Sequence, residues 1–374
     1  MLPDCNRTQK AESRKDRYLR RLLIVAPPVG PIGSGEAGGV ETHLLNLAPI
    51  LVARGYEIGI VAPAGSVVKV PGVTVYQAAG HMSPSATRAE RSARTAVRAG
   101  GVLEKMWEQA LGVQRQYDVI VGASYDWLPF YLTPFFTTPV AHWITICSAI
   151  EEVDQMIEKR WREGALNLVM YTAAQAGTFP FLAGGSVRLL YGGVDPTVFQ
   201  FNPLPRERLC WAGRISPEKG LEDAIAAAAE LGMPLDICGK IQDEPYWRAL
   251  TRHASAPIAY HGFLPPEELR KQYAGARATL VTPHWVEAFG NTVIESLACG
   301  TPVVAYDRGG PAEILEHGRS GILVPRDTGV PGLVEGVRQA LNLDRRMARA
   351  RAGDFSFMGM ADRFETWLGS LRAP

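Results

Sequence analysis

Cysteine is scarce in this sequence, which has five cysteines in 374 residues. They stand at Cys5, Cys147, Cys210, Cys238 and Cys299, and no two have the Cys-x-x-Cys spacing of a zinc or redox motif. Four of the five lie in apolar strand-like or helical stretches. The pattern argues against a disulfide-stapled secreted domain and predicts reduced core thiols in a cytoplasmic protein.

Long apolar runs and an excess of one charge are also missing. No run approaches the roughly 18 apolar residues of a membrane-spanning helix. The 39 Lys and Arg balance 38 Asp and Glu, giving a formal net charge of +1, so no nucleic-acid partner is expected. Residues 1–20 are basic but contain no apolar segment, which predicts a mobile leader rather than a secretory signal.

Several chemical motifs are absent as well. The sequence has no Asp-x-Asp pair of the kind that holds a metal diphosphate, no Walker loop, no zinc-ligand spacing and no Ser/His/Asp order. We therefore expect a site without a metal ion or a bound cofactor.

Short apolar runs alternate with helical stretches through the rest of the chain. This βαβ pattern indicates parallel sheets covered on both faces by helices, and the length indicates about two such domains. The candidate strands are residues 22–26, 57–62, 73–76, 117–121, 140–144, 168–171 and 187–190, followed by 209–212, 235–238, 258–260, 278–282, 302–306 and 322–324. The fold class is thus α/β, with two doubly wound domains.

Prolines 196, 203 and 205 place the boundary between the domains near residue 200. We expect a first domain of residues 21–200 and a second of residues 201–355. The last stretch, residues 357–371, has an apolar stripe at helical spacing, so a helix within residues 356–374 is expected to join the first domain.

Residues Ala86–Leu111 read as one long basic helix. A basic amphipathic helix can lie on an anionic membrane, which suggests a weak peripheral contact at the inner face of the membrane. Alanine and arginine are also good surface helix residues, and a solvated helix face is the favoured interpretation.

The segment Thr282–Tyr306 carries the strongest functional signal. It predicts a strand end, a loop, a helix from Asn291 to Cys299 and a second buried strand. Asn291 or Thr292 can cap the helix, and its first free N–H groups favour an anion such as phosphate. Glu287 and Glu295 flank the helix start, where carboxylates would accept hydrogen bonds from hydroxyl groups. A nucleotide sugar combines both chemistries.

Both acids also have interpretations that involve no ligand. Thr292-x-x-Glu295 is also a capping box, in which Glu295 only returns a hydrogen bond to the cap residue. Glu287 stands in a loop where an acid is often merely solvated. The neighbouring segments decide between these interpretations.

A glycine loop follows the first strand. Gly33-x-Gly35-x-x-Gly38 satisfies the dinucleotide pattern, which leaves an NAD-dependent oxidoreductase as an alternative. The loop is longer than a tight strand-to-helix turn, and the second strand ends without the acid that would bind a ribose diol. A flexible surface loop is the third interpretation.

Two cations follow the first strand of the second domain. Arg214 and Lys219 stand where an anion would enter, and together they can neutralise a diphosphate without a metal. A solvated turn is the alternative, although the helix dipole disfavours a lysine at a helix start.

His142 lies in an apolar strand of the first domain. A lone histidine there is commonly a hydrogen-bonded core residue. Its place near the carboxyl end of the strand makes an active-site role about as plausible.

These segments together resemble a known family, the retaining glycosyltransferases of family GT4, with the GT-B fold of two Rossmann-like domains. Gly38-Gly39-Val-Glu-Thr-His resembles the family's glycine loop, and Tyr191-Gly-Gly-Val-Asp195 its Asn-Gly-Val-Asp segment. The most specific part is Glu287-x7-Glu295 followed by Gly309-Gly310-Pro-Ala-Glu313. Two departures are Pro283-His284 for Pro-Ser and Gly192-Gly193 for Asn-Gly, the second expected only to change a turn.

The resemblance implies the role of each site residue. Arg214 and Lys219 would bind the donor diphosphate, and Glu295 the ribose hydroxyls. His142 would lie beside the transferred sugar. The donor base would meet Phe263 or Leu264, and the glycine loop would approach the donor at Gly38 and Gly39. Glu287 would hold the sugar and distal phosphate with the backbone amides of Ala288, Phe289, Gly290, Asn291 and Thr292.

The implied function is transfer of a sugar, with retention of its anomeric configuration, from a nucleoside-diphosphate donor to an acceptor hydroxyl. The resemblance implies a front-face reaction that needs no metal. The acceptor would be a sugar, a lipid-linked glycan or a small-molecule glycoside. A non-catalytic relative that binds nucleotide sugars is a further alternative.

Overall fold

The computed structural model describes residues 20–35, 38–82, 86, 89–96, 99–185, 187–252 and 257–371. The predicted leader, apart from Arg20, lies outside the described residues. Within the described part of the chain, no helix is both long and apolar enough to cross a lipid bilayer.

The first domain is built on a seven-stranded parallel sheet in the order β3-β2-β1-β4-β5-β6-β7. Its strands are β1 Arg21–Val25, β2 Glu57–Pro63, β3 Val73–Ala78, β4 Val119–Gly122, β5 Val140–Trp143, β6 Leu168–Met170 and β7 Arg188–Leu189. The helices between them are α1 Gly39–Ala53, α2 Val102–Val113, α3 Trp127–Leu132, α4 Glu151–Arg162 and α5 Ala173–Ala176.

The second domain has a six-stranded parallel sheet in the order β10-β9-β8-β11-β12-β13. Its strands are β8 Leu209–Ala212, β9 Leu235–Cys238, β10 Ile258–Tyr260, β11 Ala278–Val281, β12 Val303–Tyr306 and β13 Gly321–Val324. Its helices are α6 Leu221–Leu231, α7 Glu244–Arg252, α8 Pro266–Gly275, α9 Asn291–Ala298, α10 Gly310–Ile314, α11 Gly329–Ala340 and α12 Arg345–Ala352, and the chain ends in α13 Phe357–Gly369. The predicted α/β class with two doubly wound sheets is confirmed.

Burial explains why the central strands form. The strands β1, β4 and β5 are almost wholly enclosed, with only Arg21 exposed. A strand covered on both faces is apolar along its length, and this is the pattern that the sequence shows.

The long helix predicted over Ala86–Leu111 is wrong in its first half. The helix α2 begins at Val102, two residues after Gly100, which has a left-handed backbone (φ 77°). Upstream, Arg91 donates to Asp154 on α4 at 2.9 Å, so a tertiary contact holds non-helical backbone. Helix propensity is a weak preference that such contacts override.

The last helix, α13, packs against α1 of the first domain. Arg54, the C-cap of α1, forms an ion pair with Asp362 of α13 at 2.7 Å. The chain passes from the first sheet to the second after Val194 and returns after Phe355. The two crossing segments are neighbours, because Val194 N donates to Phe355 O at 2.7 Å. We therefore propose that the first domain comprises residues 21–200 with the C-terminal helix, and the second residues 201–355.

Candidate functional site

The loops that carry the candidate site leave one edge of the second sheet. The strand β11 lies between β8 and β12, and all three are parallel. Their carboxyl ends therefore meet, which is where ligands of open α/β sheets bind. Arg214 follows β8, Glu287 follows β11 and Gly309 follows β12.

Lys219 and Glu287 form the centre of this edge. The Nζ of Lys219 lies 2.5 Å from Oε2 of Glu287, and both side chains are less than one-fifth exposed. Trp285 donates its indole N–H to the same Oε2 at 3.2 Å, and its ring lies beneath Lys219 Nζ at 4.8 Å. Arg214 lies over the same ring at 5.9 Å. The predicted pair of cations and the first acid are thus brought together.

The charge of Glu287 depends on these neighbours. Burial by itself would raise the pKa of this carboxyl, but the charge and hydrogen bond of Lys219, the Trp285 N–H and the charge of Arg214 outweigh burial and lower its pKa. Glu287 is therefore an ionised acceptor, suited to hydroxyl groups of a ligand.

The helix α9 begins differently from the prediction. Its N-cap is Gly290, which has a left-handed backbone (φ 111°) and no side chain to cap the helix. Capping by Asn291 or Thr292 is therefore wrong, and Thr292 Oγ1 instead lies 3.3 Å from Ala212 O. Because no side chain caps the first turn, the N–H groups of Asn291 and Thr292 are available to an anion, whereas that of Val293 donates to Gly290 O at 2.9 Å.

Glu295 is held in a less polar environment than Glu287. Tyr273 donates its hydroxyl to Glu295 at 3.3 Å, and burial raises the pKa of this carboxyl to about 7. The capping-box alternative fails because the N-cap of α9 is Gly290, so Thr292 does not occupy the cap position that the box requires.

Two glycines hold the loop that carries Glu287. Gly310 N donates to Glu287 O at 2.7 Å. A Cβ on Gly309 would lie 2.3 Å from Glu287 O, and one on Gly310 would lie 1.9 Å from Phe289 O. The Gly309-Gly310 motif therefore allows two loops to approach more closely than side chains would permit.

Cys147 approaches the site from the first domain, and sequence reasoning treated it only as a core thiol. Burial, followed by the negative charge of Glu287, raises the pKa of Cys147 to about 12. Nearby, Thr172 Oγ1 donates to Ala288 O at 2.8 Å, so the first domain touches the Glu287 loop directly. The sequence offers no signal for either contact.

Glu313 is a second residue whose position only the structure shows. Its carboxylate accepts from the backbone N–H of Ala174 at 2.6 Å and from that of Ala173 at 3.2 Å, at the start of α5. Tyr191 OH lies 3.1 Å from the same carboxylate. The last residue of the Gly309-Gly310-Pro-Ala-Glu313 motif thus ties the second domain to the first.

The glycine loop of the first domain is closed by a buried acid. Glu41 accepts hydrogen bonds from Gly33 N at 2.7 Å and Gly35 N at 2.9 Å. A dinucleotide phosphate would need these N–H groups. Because they already donate to the Glu41 carboxylate, the oxidoreductase alternative is disfavoured. A Cβ on Gly35 would lie 2.9 Å from the ring of Phe263, which is 61% exposed.

Other predicted donor contacts lie near the cleft. Leu264 follows Phe263 in the loop after β10 and is half-buried. A Cβ on Gly39 would lie 2.4 Å from Asn291 Nδ2, so the first domain meets the start of α9 here. Gly38 precedes α1 with a left-handed backbone (φ 71°).

His142 is not brought to the Lys219–Glu287 pair. It is fully buried in the first domain, with Nε2 2.8 Å from Thr133 Oγ1 and its ring against Phe130 and Trp107. Burial lowers the pKa of the imidazole to about 3, so it stays neutral. These surroundings are those of a core histidine, because its side chain points into the packing rather than out of the strand end.

The chain matches known proteins over most of its length. Residues 198–354 match the family model described as glycosyl transferases group 1. The chain is 27% identical over 360 residues to a D-inositol 3-phosphate glycosyltransferase of Pseudarthrobacter chlorophenolicus, covering 82% of this chain and 83% of that protein. It is 28% identical over 385 residues to a glycogen synthase of Mycobacterium tuberculosis, covering 89% and 88%.

Solved structures share the fold. Anabaena Alr3699/HepE, solved in complex with UDP and glucose, superposes with a TM-score of 0.69 at 18% identity and covers 94% of this chain and 100% of that chain. The two-domain GT-B architecture expected from the sequence is confirmed.

Proposed function

We propose, from the premise that residues 198–354 form a domain of the glycosyl transferases group 1 family, that the chain transfers a sugar from a nucleoside-diphosphate donor to an acceptor hydroxyl. The observation that carries this proposal is the Lys219–Glu287 pair beside the uncapped start of α9. A cation, a carboxylate and free backbone N–H groups meet at one edge. These are the partners that a phosphorylated sugar requires.

The donor diphosphate would bind between the cations and α9. Lys219 has three N–H donors, so it can keep Glu287 and also contact a phosphate oxygen. Arg214 adds a second charge above Trp285. Fixed positive groups around the diphosphate would stabilise the charge that develops as it leaves, and no metal ion is needed for this purpose.

The two ends of the donor would meet different residues. Glu295 would accept hydrogen bonds from the ribose hydroxyls, and the exposed ring of Phe263 would stack on the base. Glu287 would accept from hydroxyls of the transferred sugar. The neighbours that contain UDP support a uridine donor as the first to test.

The stereochemical course would be retention by a front-face reaction. In this reaction the bond from the anomeric carbon to the phosphate oxygen breaks as the acceptor oxygen attacks on the same face. The acceptor proton passes to the departing phosphate. Burial and the charge of Glu287 raise the pKa of the Cys147 thiol, which is therefore a poor nucleophile for the alternative two-step route.

The donor can be identified by thermal shift. UDP-, GDP-, ADP- and dTDP-sugars are compared, because a ligand that binds the folded state raises the melting temperature. The stabilising donor is then tested with sugar, lipid-linked glycan and small-glycoside acceptors. The anomeric configuration of the product, read by NMR, tests retention.

Two substitutions test the site. Glu287→Gln and Lys219→Ala should each lower kcat/KM by at least about a hundredfold, because each removes a charged partner of the reacting group. The matched controls are Glu268→Gln and Lys271→Ala, which break an exposed ion pair of 2.6 Å on α8 and should leave transfer unchanged. Normal turnover in a folded Glu287→Gln or Lys219→Ala protein refutes the proposal.

The two alternatives have their own signatures. An NAD-dependent oxidoreductase would bind NADH tightly, as seen by fluorescence, and would ignore UDP and GDP. A binding protein without activity would bind the donor yet neither transfer nor slowly hydrolyse the sugar.

A further inference from the structure

His43 lies where the first domain meets the start of α9. It belongs to α1 and is 1% exposed. Its Nδ1 lies 2.8 Å from Tyr171 OH, and its ring contacts Phe289, which follows Glu287 by two residues, at a centroid distance of 5.9 Å. A first-domain imidazole is therefore enclosed against the loop that carries the candidate site.

Two buried polar atoms at this junction lack a hydrogen-bond partner among the described residues. They are Nε2 of His43 and Oδ1 of Asn291, the first residue of α9. Tyr171 can donate its hydroxyl proton to Nδ1, which leaves the imidazole proton on Nε2. One atom is then a donor and the other an acceptor, and leaving both buried and unpaired is costly.

The two side chains are within reach of each other. Burial lowers the pKa of His43 to about 4, and a hydrogen-bonding contribution from Asn291 acts in the opposite direction. The imidazole is thus neutral, as a donor to an amide oxygen requires. In the part of the chain that the structure describes, neither His43 Nε2 nor Asn291 Oδ1 has a hydrogen-bond partner, so the contact requires the Asn291 amide to turn its oxygen toward His43 Nε2.

Glycines on both sides allow the approach. A Cβ on Gly39 would lie 2.4 Å from Asn291 Nδ2, and one on Gly192 would lie 2.7 Å from His43 Nε2. A Cβ on Gly192 would also lie 2.2 Å from the ring of Phe289. The expectation that Gly192-Gly193 only changes a turn is therefore wrong, because Gly192 makes room for this contact.

We propose that His43 is a positioning residue for sugar transfer, donating from Nε2 to Asn291 Oδ1 and so holding the start of α9 against the first domain. The inference rests on the proposed function, since α9 is where the donor diphosphate would bind. His43 does not touch the donor and acts through Asn291. The His43–Asn291 contact would hold the two domains together, and the donor on α9 would then be correctly placed against the first domain.

The role predicts a separation of binding from turnover. Arg214, Lys219 and Glu295 all belong to the second domain, so a donor nucleotide should bind there without help from His43. Placement of the sugar against the first domain should depend on the contact. Loss of His43 should then lower kcat and leave nucleotide affinity nearly unchanged, whereas a merely structural histidine would affect both through stability.

The experiment compares His43→Phe, His43→Gln, Asn291→Ala and the double variant of His43→Phe with Asn291→Ala. His43→Phe and Asn291→Ala should each lower kcat about 10- to 100-fold, with the Kd for UDP changed less than threefold. His43→Gln, which keeps an N–H donor, should recover most of the lost kcat. The double variant should be no slower than the slower single variant, because both changes remove one interaction.

The control is Asn46→Leu, one turn further along α1, where the amide donates to Thr42 O within the helix. In a double variant of Asn46→Leu with Asn291→Ala, the two fold-changes in kcat should multiply. Wild-type kcat in His43→Phe, or multiplied losses in the double variant of His43→Phe with Asn291→Ala, overturns the inference. Should His43→Phe fail to fold, the single variants Asn291→Ala and His43→Gln are compared instead: Asn291→Ala should lower kcat, and His43→Gln should largely keep it.

A structural readout separates this inference from the proposed function. Small-angle X-ray scattering with saturating UDP should give a larger radius of gyration for His43→Phe than for the wild type, because the domains close less fully. If the wild type transfers no sugar from any donor, the proposed function fails and the scattering result alone judges the contact. Equal radii overturn the inference even if the wild type is an active transferase.

Discussion

Glu287 lies in the loop before α9 and Glu295 lies within α9, and their carboxyl groups have opposite electrostatic environments. Lys219, Trp285 and Arg214 together outweigh the effect of burial and lower the pKa of Glu287. Glu295 has a tyrosine hydroxyl beside it, and burial raises its pKa to about 7. Glu287 is therefore ionised at neutral pH, whereas Glu295 titrates near neutral pH.

The titration of Glu295 should appear in the pH dependence of stability. Between its usual pKa of 4.5 and the folded value of about 7, the folded state keeps a proton that the unfolded state has released. Stability from this group is therefore complete below about pH 4.5 and is lost as pH rises through 7. After allowance for solvent, the loss should be about 1–2 kcal/mol.

Thermal melting between pH 5 and pH 8 measures this effect. From pH 5 to pH 8, the melting temperature of the wild type should fall about 2–4 °C more than that of Glu295→Gln, which lacks the titrating group. Glu335→Gln, an exposed acid on α11, serves as the control and should follow the wild type. An identical pH profile for wild type and Glu295→Gln would contradict the raised pKa.

At the scale of elements, the site is assembled by close backbone contacts between the loops after β11 and β12. Glu287 forms an isolated bridge with Gly309, and Gly310 N donates to Glu287 O at 2.7 Å. The helix α9 then begins at Asn291, after an N-cap glycine, Gly290, that provides no side-chain cap. Glycine is needed in these loops because backbone atoms that are distant along the chain approach too closely for a side chain to fit.

Gly310→Ala should therefore damage the site without touching a ligand. Its Cβ would lie 1.9 Å from Phe289 O, so the Glu287 loop must move. We expect a destabilisation of about 1–3 kcal/mol and at least a tenfold lower kcat/KM, measured by melting and by transfer assay.

Gly112→Ala is the matched control. Gly112 lies inside α2, and a Cβ there would meet nothing within 4 Å. Alanine is the better helix former, so this variant should be stabilised by about 0.5–1 kcal/mol with normal transfer. Equal behaviour of the two variants would contradict the packing argument.

At the scale of the whole molecule, the two sheets are joined by more than the linker near residue 194. The C-terminal helix α13 returns to α1, and Glu313 ties the second domain to α5 and Tyr191. One continuous apolar cluster runs from the first sheet through α13 to α9. The Glu313 contacts and this shared apolar cluster thus hold the domains together.

A chain that ends at Phe355 should not fold into a stable protein. The helix α13 buries six apolar side chains, at Phe357, Met360, Ala361, Phe364, Trp367 and Leu368. The five larger ones contribute about 1.5–3 kcal/mol each, so their sum is comparable to a typical total stability of about 5–15 kcal/mol.

Expression yield, melting and dye binding to exposed apolar surface test this truncation. A chain that ends at Leu371 is the control and should melt like the full chain, because α13 ends at Gly369. Cooperative melting of the shorter chain near the wild-type temperature would show that α13 is not part of the first-domain core.

The sequence by itself determined the architecture and which residues meet at the carboxyl edge of the second sheet. Strands buried on both faces read as continuous apolar runs, so the order of elements and the parallel sheets could be predicted. Arg214, Lys219 and Glu287 could be predicted because parallel strands place their carboxyl-end loops side by side, whatever the details of packing.

Tertiary structure decided everything that depends on partners far away in the chain. Four features have no local signature: the break before Val102, the glycine N-cap of α9, the burial of His142 and the contact of His43 with Phe289. Each follows from which surfaces meet when the two domains pack, because a side chain's pKa, its hydrogen-bond partner and the space around it are properties of neighbours rather than of sequence.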